Sequence, residues 1–115
     1  MSKYKKNLGA WGEKIASQYY QKLGFEILEK NFSQKYGELD LIIKKDHQIL
    51  VVEVKTRASR LFGFGEESIS NKKLKNIIQT YQIFAAQNNL SPDFQIEICV
   101  VEKNNAKHKI IIFKI

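Results

Sequence analysis

Two apolar runs, residues 39–43 and 49–54, flank the polar stretch Lys45-Asp46-His47-Gln48, and this arrangement predicts a β-hairpin. Both runs are rich in Ile, Val and Leu, the side chains that pack best on a pleated surface. With Asp46 and His47 at the tip, Asp40 stands opposite Glu53 and Glu38 opposite Lys55. Because side chains alternate between faces, Leu39, Leu41, Ile43, Leu50, Val52 and Val54 form one apolar face that must be buried. The other face carries Ile42, Ile49 and Val51 toward the turn and gathers Glu38, Asp40, Glu53 and Lys55 at the open end.

Two carboxylates directly opposite each other repel, more strongly as water is excluded, so a cation is expected between them. A hard divalent ion suits the position. Mg²⁺ is commonly held by one or two carboxylates plus waters, with room left for a substrate phosphate. Lys55, two residues past Glu53 on the same face, would point at that phosphate or at the attacking water. The alternative is a pair of structural ion pairs, Glu38 with Lys55 and Asp40 with a lysine elsewhere. A three-residue loop would shift the pairing by one and scatter the four charges, so the metal reading depends on the two-residue tip.

The chain has 115 residues, 43% of them hydrophobic, which suits one compact domain over 1–115. Its net charge of +7 favours a polyanionic partner. Cys99 is the only cysteine, which excludes an internal disulfide and a cysteine-based zinc site, and its apolar surroundings predict burial. The basic opening is followed by no apolar stretch of signal-peptide length, and no run approaches membrane-spanning length, so the reading is a cytoplasmic protein with no membrane partner.

Leu8, Trp11, Ile15, Tyr19 and Leu23 recur at helical spacing and predict a helix over about residues 7–23, stopped by Gly24. Gly9 and Gly12 each weaken a helix by up to about 1 kcal/mol relative to Ala, so they are expected where a backbone or ligand comes close. Glu13 lies off the centre of this stripe. Periodicity makes it a boundary or surface residue and cannot derive a ligand role for it.

Residues 25–28 predict a first strand ending near Asn31-Phe32, and residues 33–37 a polar loop in which Gly37 meets an unusual backbone conformation. Residues 56–65, with Arg57, Arg60, Phe62 and Phe64, predict a loop whose arginines contact phosphate and whose phenylalanines either stack on a base or anchor the loop. Ser70 is an N-cap for a second helix with Leu74, Ile77, Ile78, Tyr81, Phe84 and Ala85 on its apolar side, ending near Asn88-Asn89. Lys72, Lys75, Gln79 and Gln82 line one polar flank, and the local lysine excess, Lys73 included, favours nucleic acid over an ordinary solvated face. Residues 94–101 and 109–114 complete the strands, the last one guarded by flanking lysines. His47 and His108 adjoin turns and lack ligand spacing. The order αβββαββ describes an α/β domain with a mixed sheet and flanking helices.

Gly9-Ala10-Trp11-Gly12-Glu13, Asn31-Phe32, Gly37-Glu38-Leu39-Asp40-Leu41-Ile42 and Val52-Glu53-Val54-Lys55-Thr56-Arg57 together resemble the signature of the bacterial YraN family. That family is assigned to the restriction-endonuclease-like, PD-(D/E)xK, superfamily and is similar to archaeal Holliday-junction resolvases. The resemblance implies a restriction-endonuclease-like core and a site formed by Glu13, Asp40, Glu53 and Lys55. Leu39 replaces the motif's proline, and Glu97 stands where an aspartate is expected, so nothing is assigned there.

The resulting expectation is a Mg²⁺- or Mn²⁺-dependent nuclease acting on DNA, including branched or otherwise structured DNA. Asp40, Glu53 and the Val54 carbonyl would hold the ion, with Glu13 contributing directly or through water. Lys55 would position the nucleophile or stabilise the transition state, and Arg57, Arg60, Lys72 and Lys75 would hold the phosphate backbone. The competing readings are a non-catalytic nucleic-acid-binding module on the same fold and an interaction protein with a structural carboxylate cluster. Similarity to the resolvases also allows a homodimer, which no residue in the chain demands.

Overall fold

The computed structural model describes residues 3–58 and 68–115. Helix α1 (Lys3–Lys22) leads into strands β1 (Glu26–Gln34), β2 (Gly37–Lys45) and β3 (Gln48–Arg57). Helix α2 (Asn71–Asn88) follows, then strands β4 (Gln95–Asn104) and β5 (Lys107–Lys114). One sheet runs in the order β1-β2-β3-β4-β5, with β3 and β4 parallel and every other pair antiparallel. This is the expected αβββαββ order around a mixed sheet. No helix among the described residues is long and apolar enough to cross a membrane.

The helices cover opposite faces. Ile77, Tyr81, Phe84 and Ala85 of α2 pack on Leu39, Ile42, Ile49, Val51 and Ile96. Ala16 and Tyr20 of α1 pack on Leu41, Ile43, Leu50, Val52, Cys99 and Val101. The β2–β3 register has the predicted two-residue tip, with Lys45 opposite Gln48 and Asp46 at φ 55°.

Both helix ends follow local chemistry. Ser70 Oγ accepts from Lys73 N at 3.1 Å, capping α2 at its start, and Asn89 in the left-handed conformation closes it. After α1, Gly24 at φ 97° lets Phe25 N reach Tyr20 O at 3.0 Å, which satisfies a terminal carbonyl.

Several boundaries differ from the sequence reading. α1 begins four residues or so before its apolar stripe, because lysine and tyrosine tolerate a helix without needing burial. β1 extends to Gln34, so the loop expected over 33–37 shrinks to the turn Lys35-Tyr36. β3 continues through Thr56 and Arg57, which pair with Val101 and Glu102 of β4, so Arg57 belongs to a strand and not to a loop. Arg60, Phe62 and Phe64 lie outside the described residues.

The alternation of faces also breaks at Leu39. Leu39 was expected beside Leu41, yet it packs in the cluster under α2 while Leu41 packs under α1. Its β1 partner Phe32 sits on the α2 side as well. Between these partners and the next pair, Lys30 with Leu41, stands Asn31 at φ 53°, a left-handed residue inside a strand. The half-turn this introduces leaves Asp40 at the changeover between the two faces.

Candidate functional site

The β2–β3 ladder runs from the tip to the pair Leu41 and Val52. Beyond it Asp40 Oδ2 accepts from Val54 N at 2.8 Å, so a side chain replaces the next ladder contact and the carboxylate is clamped to β3. A cavity of about 510 Å³ opens at this point. Glu38, Asp40, Glu53 and Lys55 line its strand wall, and Lys72 and Lys73 of α2 line the facing wall. The four charges grouped by the predicted register therefore do share one cavity.

Glu53 is only 4% exposed. Its Oε2 lies 3.3 Å from Lys73 Nζ, while Oε1 is buried with no hydrogen-bond partner among the described residues. Burial raises its pKa above the ordinary carboxylate range; the nearby Asp40 raises it further, and Lys73 and Lys55 offset only part of this. Burial raises Asp40 too, against the Val54 N–H and Lys73, which favour its charged form.

Glu13 reaches the same carboxylates from the other side of the sheet. It lines a second cavity of about 470 Å³, beside Leu8, Gly9 and Thr56, and that cavity shares Asp40 and Val54 with the first. Its pKa is raised by burial and then by Asp40 and Glu38. With its amide nitrogen turned toward them, Asn31 donates to Glu13 Oε1 at 2.8 Å and to Glu38 Oε1 at 3.2 Å. One neutral amide thus separates two carboxylates.

Glu13 is nearer the sheet than its periodicity indicated. The buried line of α1 is Gly12, Ala16, Ser17 and Tyr20, whereas Leu23 is exposed. A Cβ on Gly12 would overlap Thr56 Oγ1, so that glycine does serve a close approach to β3. Around Gly9, nothing among the described residues lies within 4 Å of where its Cβ would stand.

Of the proposed phosphate contacts, Lys72 lines the first cavity; Lys75 is exposed and does not. Lys73 and Asn31 are the residues that sequence reasoning left without a role. Lys73 had one usable signal, because a crossover helix starts beside the carboxyl end of the strand it follows, here the end carrying Glu53 and Lys55. Asn31 had a weaker one, in that asparagine tolerates the left-handed conformation. Glu97, given no role, accepts from Tyr20 Oη at 2.8 Å through Oε1.

Asp40 and Glu53 fit a hard divalent cation: two carboxylates, one with a buried oxygen that nothing among the described residues satisfies. Among the described residues no three His, Cys, Asp or Glu side chains converge as a ligand set. An ion here would rest on the pair, with backbone oxygen, water or substrate completing its shell.

Residues 12–102 match the family described as "Uncharacterised protein family UPF0102". The chain is similar to a UPF0102 protein of Syntrophomonas wolfei, 39% identical over 106 residues that cover 91% of this chain and 92% of that one. A UPF0102 protein of Caldanaerobacter subterraneus is 40% identical over 111 residues, 96% of this chain and 90% of its own. One from a Sulfurihydrogenibium species is 40% identical over 101 residues, 87% and 88% respectively.

Proposed function

The chain belongs to the UPF0102 (YraN) family, and for it we propose a Mg²⁺- or Mn²⁺-dependent nuclease activity that hydrolyses phosphodiester bonds in DNA. The observation that carries this reading is the buried Oε1 of Glu53, without a partner among the described residues, in a cavity that also holds Asp40 and Lys55. Asp40, Glu53 and the Val54 carbonyl are the ligands, and Glu13 acts from the α1 side directly or through water. When bound, the ion supplies Lewis acidity to the scissile phosphate and lowers the pKa of a coordinated water. Lys55 orients the nucleophile or stabilises charge developing on the phosphate. Lys72 and Lys73 hold neighbouring phosphates, in keeping with the net charge of +7. Clamping by the Val54 N–H keeps Asp40 in one orientation, so no reorganisation is needed when the substrate arrives.

A second reading, a nucleic-acid-binding module without catalysis, draws on the Lys73–Glu53 ion pair, which already compensates part of the acidic charge. Incubation with branched, single-stranded and duplex DNA, with and without Mn²⁺, separates the two. The nuclease reading expects metal-dependent cleavage that is lost in Asp40→Asn, Glu53→Gln and Lys55→Ala while DNA binding is largely kept. Cleavage that survives all three substitutions would overturn it, and binding without cleavage by the parent would favour the module.

A further inference from the structure

We infer that Lys73 is the resting occupant of the cation position: its ammonium holds Glu53 until a divalent ion displaces it, and the freed ammonium then takes a substrate phosphate. The inference rests on the proposed metal site and adds to it a residue that controls the site's loading. Lys73 Nζ stands 3.3 Å from Glu53 Oε2, and the two partners differ sharply in freedom, with side-chain exposures of 46% and 6%. Glu53 sits on the central strand, paired with Ile98 of β4 and next to Val54, whose N–H donates to Asp40. The lysine has a flexible four-carbon stem and open solvent beside it, so it can swing away at little desolvation cost.

Its backbone stays behind, because Lys73 N is tied to the Ser70 cap and Cα belongs to the first turn of α2. Movement is confined to the side chain. The ammonium lines the same cavity as Asp40, the other carboxylate assigned to the ion. It nevertheless leaves Glu53 Oε1 without a hydrogen-bond partner among the described residues. A monovalent group on a flexible arm is a partial substitute for a divalent ion, and a displaced Lys73 remains on the wall of the same cavity.

Titration of the full-length protein with Mn²⁺ alone, followed by electron paramagnetic resonance, tests this on the parent, Lys73→Gln and Lys72→Gln. Lys72 lines the same cavity and carries the same charge, so it reports the general field, whereas Lys73 reports displacement from Glu53. Lys73→Gln is expected to bind Mn²⁺ about tenfold more tightly than the parent, the scale of a charge-assisted contact that no longer has to be broken. Lys72→Gln is expected to stay within about twofold, as an unpaired rim charge would. Equal tightening by both variants, or parental binding that Lys73→Gln leaves unchanged or weaker, would overturn the role of Lys73 alone. Absence of Mn²⁺ binding from the parent and Lys73→Gln alike would overturn the metal site and this inference with it.

Discussion

α2 lays Ile77, Tyr81 and Phe84 against one face of the sheet, whereas α1 meets the other through Gly12, Ala16 and Tyr20. The α2 contact is made of large side chains; the α1 contact brings the Gly12 backbone against the Thr56 side chain of β3. The first should fail when atoms are removed and the second when atoms are added. The same asymmetry reappears at the site. α2 brings an ammonium to the carboxylates, and α1 brings a further carboxylate.

Truncation on the α2 side should do the most damage. Phe84→Ala removes a ring that meets Phe32 edge-on at 5.1 Å between centroids, and a loss of about 3–5 kcal/mol is expected in urea unfolding. A loss under about 1 kcal/mol would mean that α2 does not depend on its large side chains. Gly12→Ala comes next, at about 1–3 kcal/mol, because the new methyl group meets Thr56. The cost should shrink in a Thr56→Ala background, which removes Oγ1 and Cγ2; an undiminished cost would locate the strain elsewhere.

Glu53→Gln probes the charge side of the comparison. The folded pKa of Glu53 lies above its ordinary value of 4.5, so the native state binds more protons than the unfolded one through that window, and stability falls as pH rises through it. The variant should match the parent well below pH 4.5 and melt roughly a few °C higher at neutral pH. A variant that is less stable at neutral pH would show that Lys73 outweighs the burial of the charge. Gly9→Ala should have the smallest effect and the opposite sign to Gly12→Ala, a gain of up to about 1 kcal/mol, since it adds helix propensity where nothing among the described residues is in contact. A loss would show that Gly9 is held closer than the α1 contact implies.

The same contrast explains what could be read in advance. α2 was legible because its contact residues are large and apolar, and because Ser70 and Asn89 cap it in the ordinary way. The contact line of α1 was misplaced, since Gly12 and Ala16 add almost nothing to hydrophobic periodicity while exposed Leu23 adds much. Glu13 was consequently set too far from the sheet, and only the family resemblance put it with the acids. The hairpin register was legible from the tip to Leu41 and Val52, because one short tip determines those pairs; the expected pairs Asp40 with Glu53 and Glu38 with Lys55 lie beyond the end of the ladder. The reversal at Leu39 was not, because it follows from a backbone conformation at Asn31 that asparagine permits without demanding. The Lys73–Glu53 pair depends on where the crossover returns the chain, which composition and spacing within a segment do not encode.

The parallel pairing of β3 with β4 also ranks the parts of the pocket by how they come together. β1, β2 and β3 join their sequence neighbours through tight turns, but α2 docks and β4 pairs only once a long excursion of chain has closed. Both acids belong to the early, local unit together with Lys55, and the Lys73 ammonium arrives with the late one. A molecule that transiently releases its second helix therefore keeps the meander with Lys55 beside the acids, and in that state a passing divalent ion need not displace Lys73.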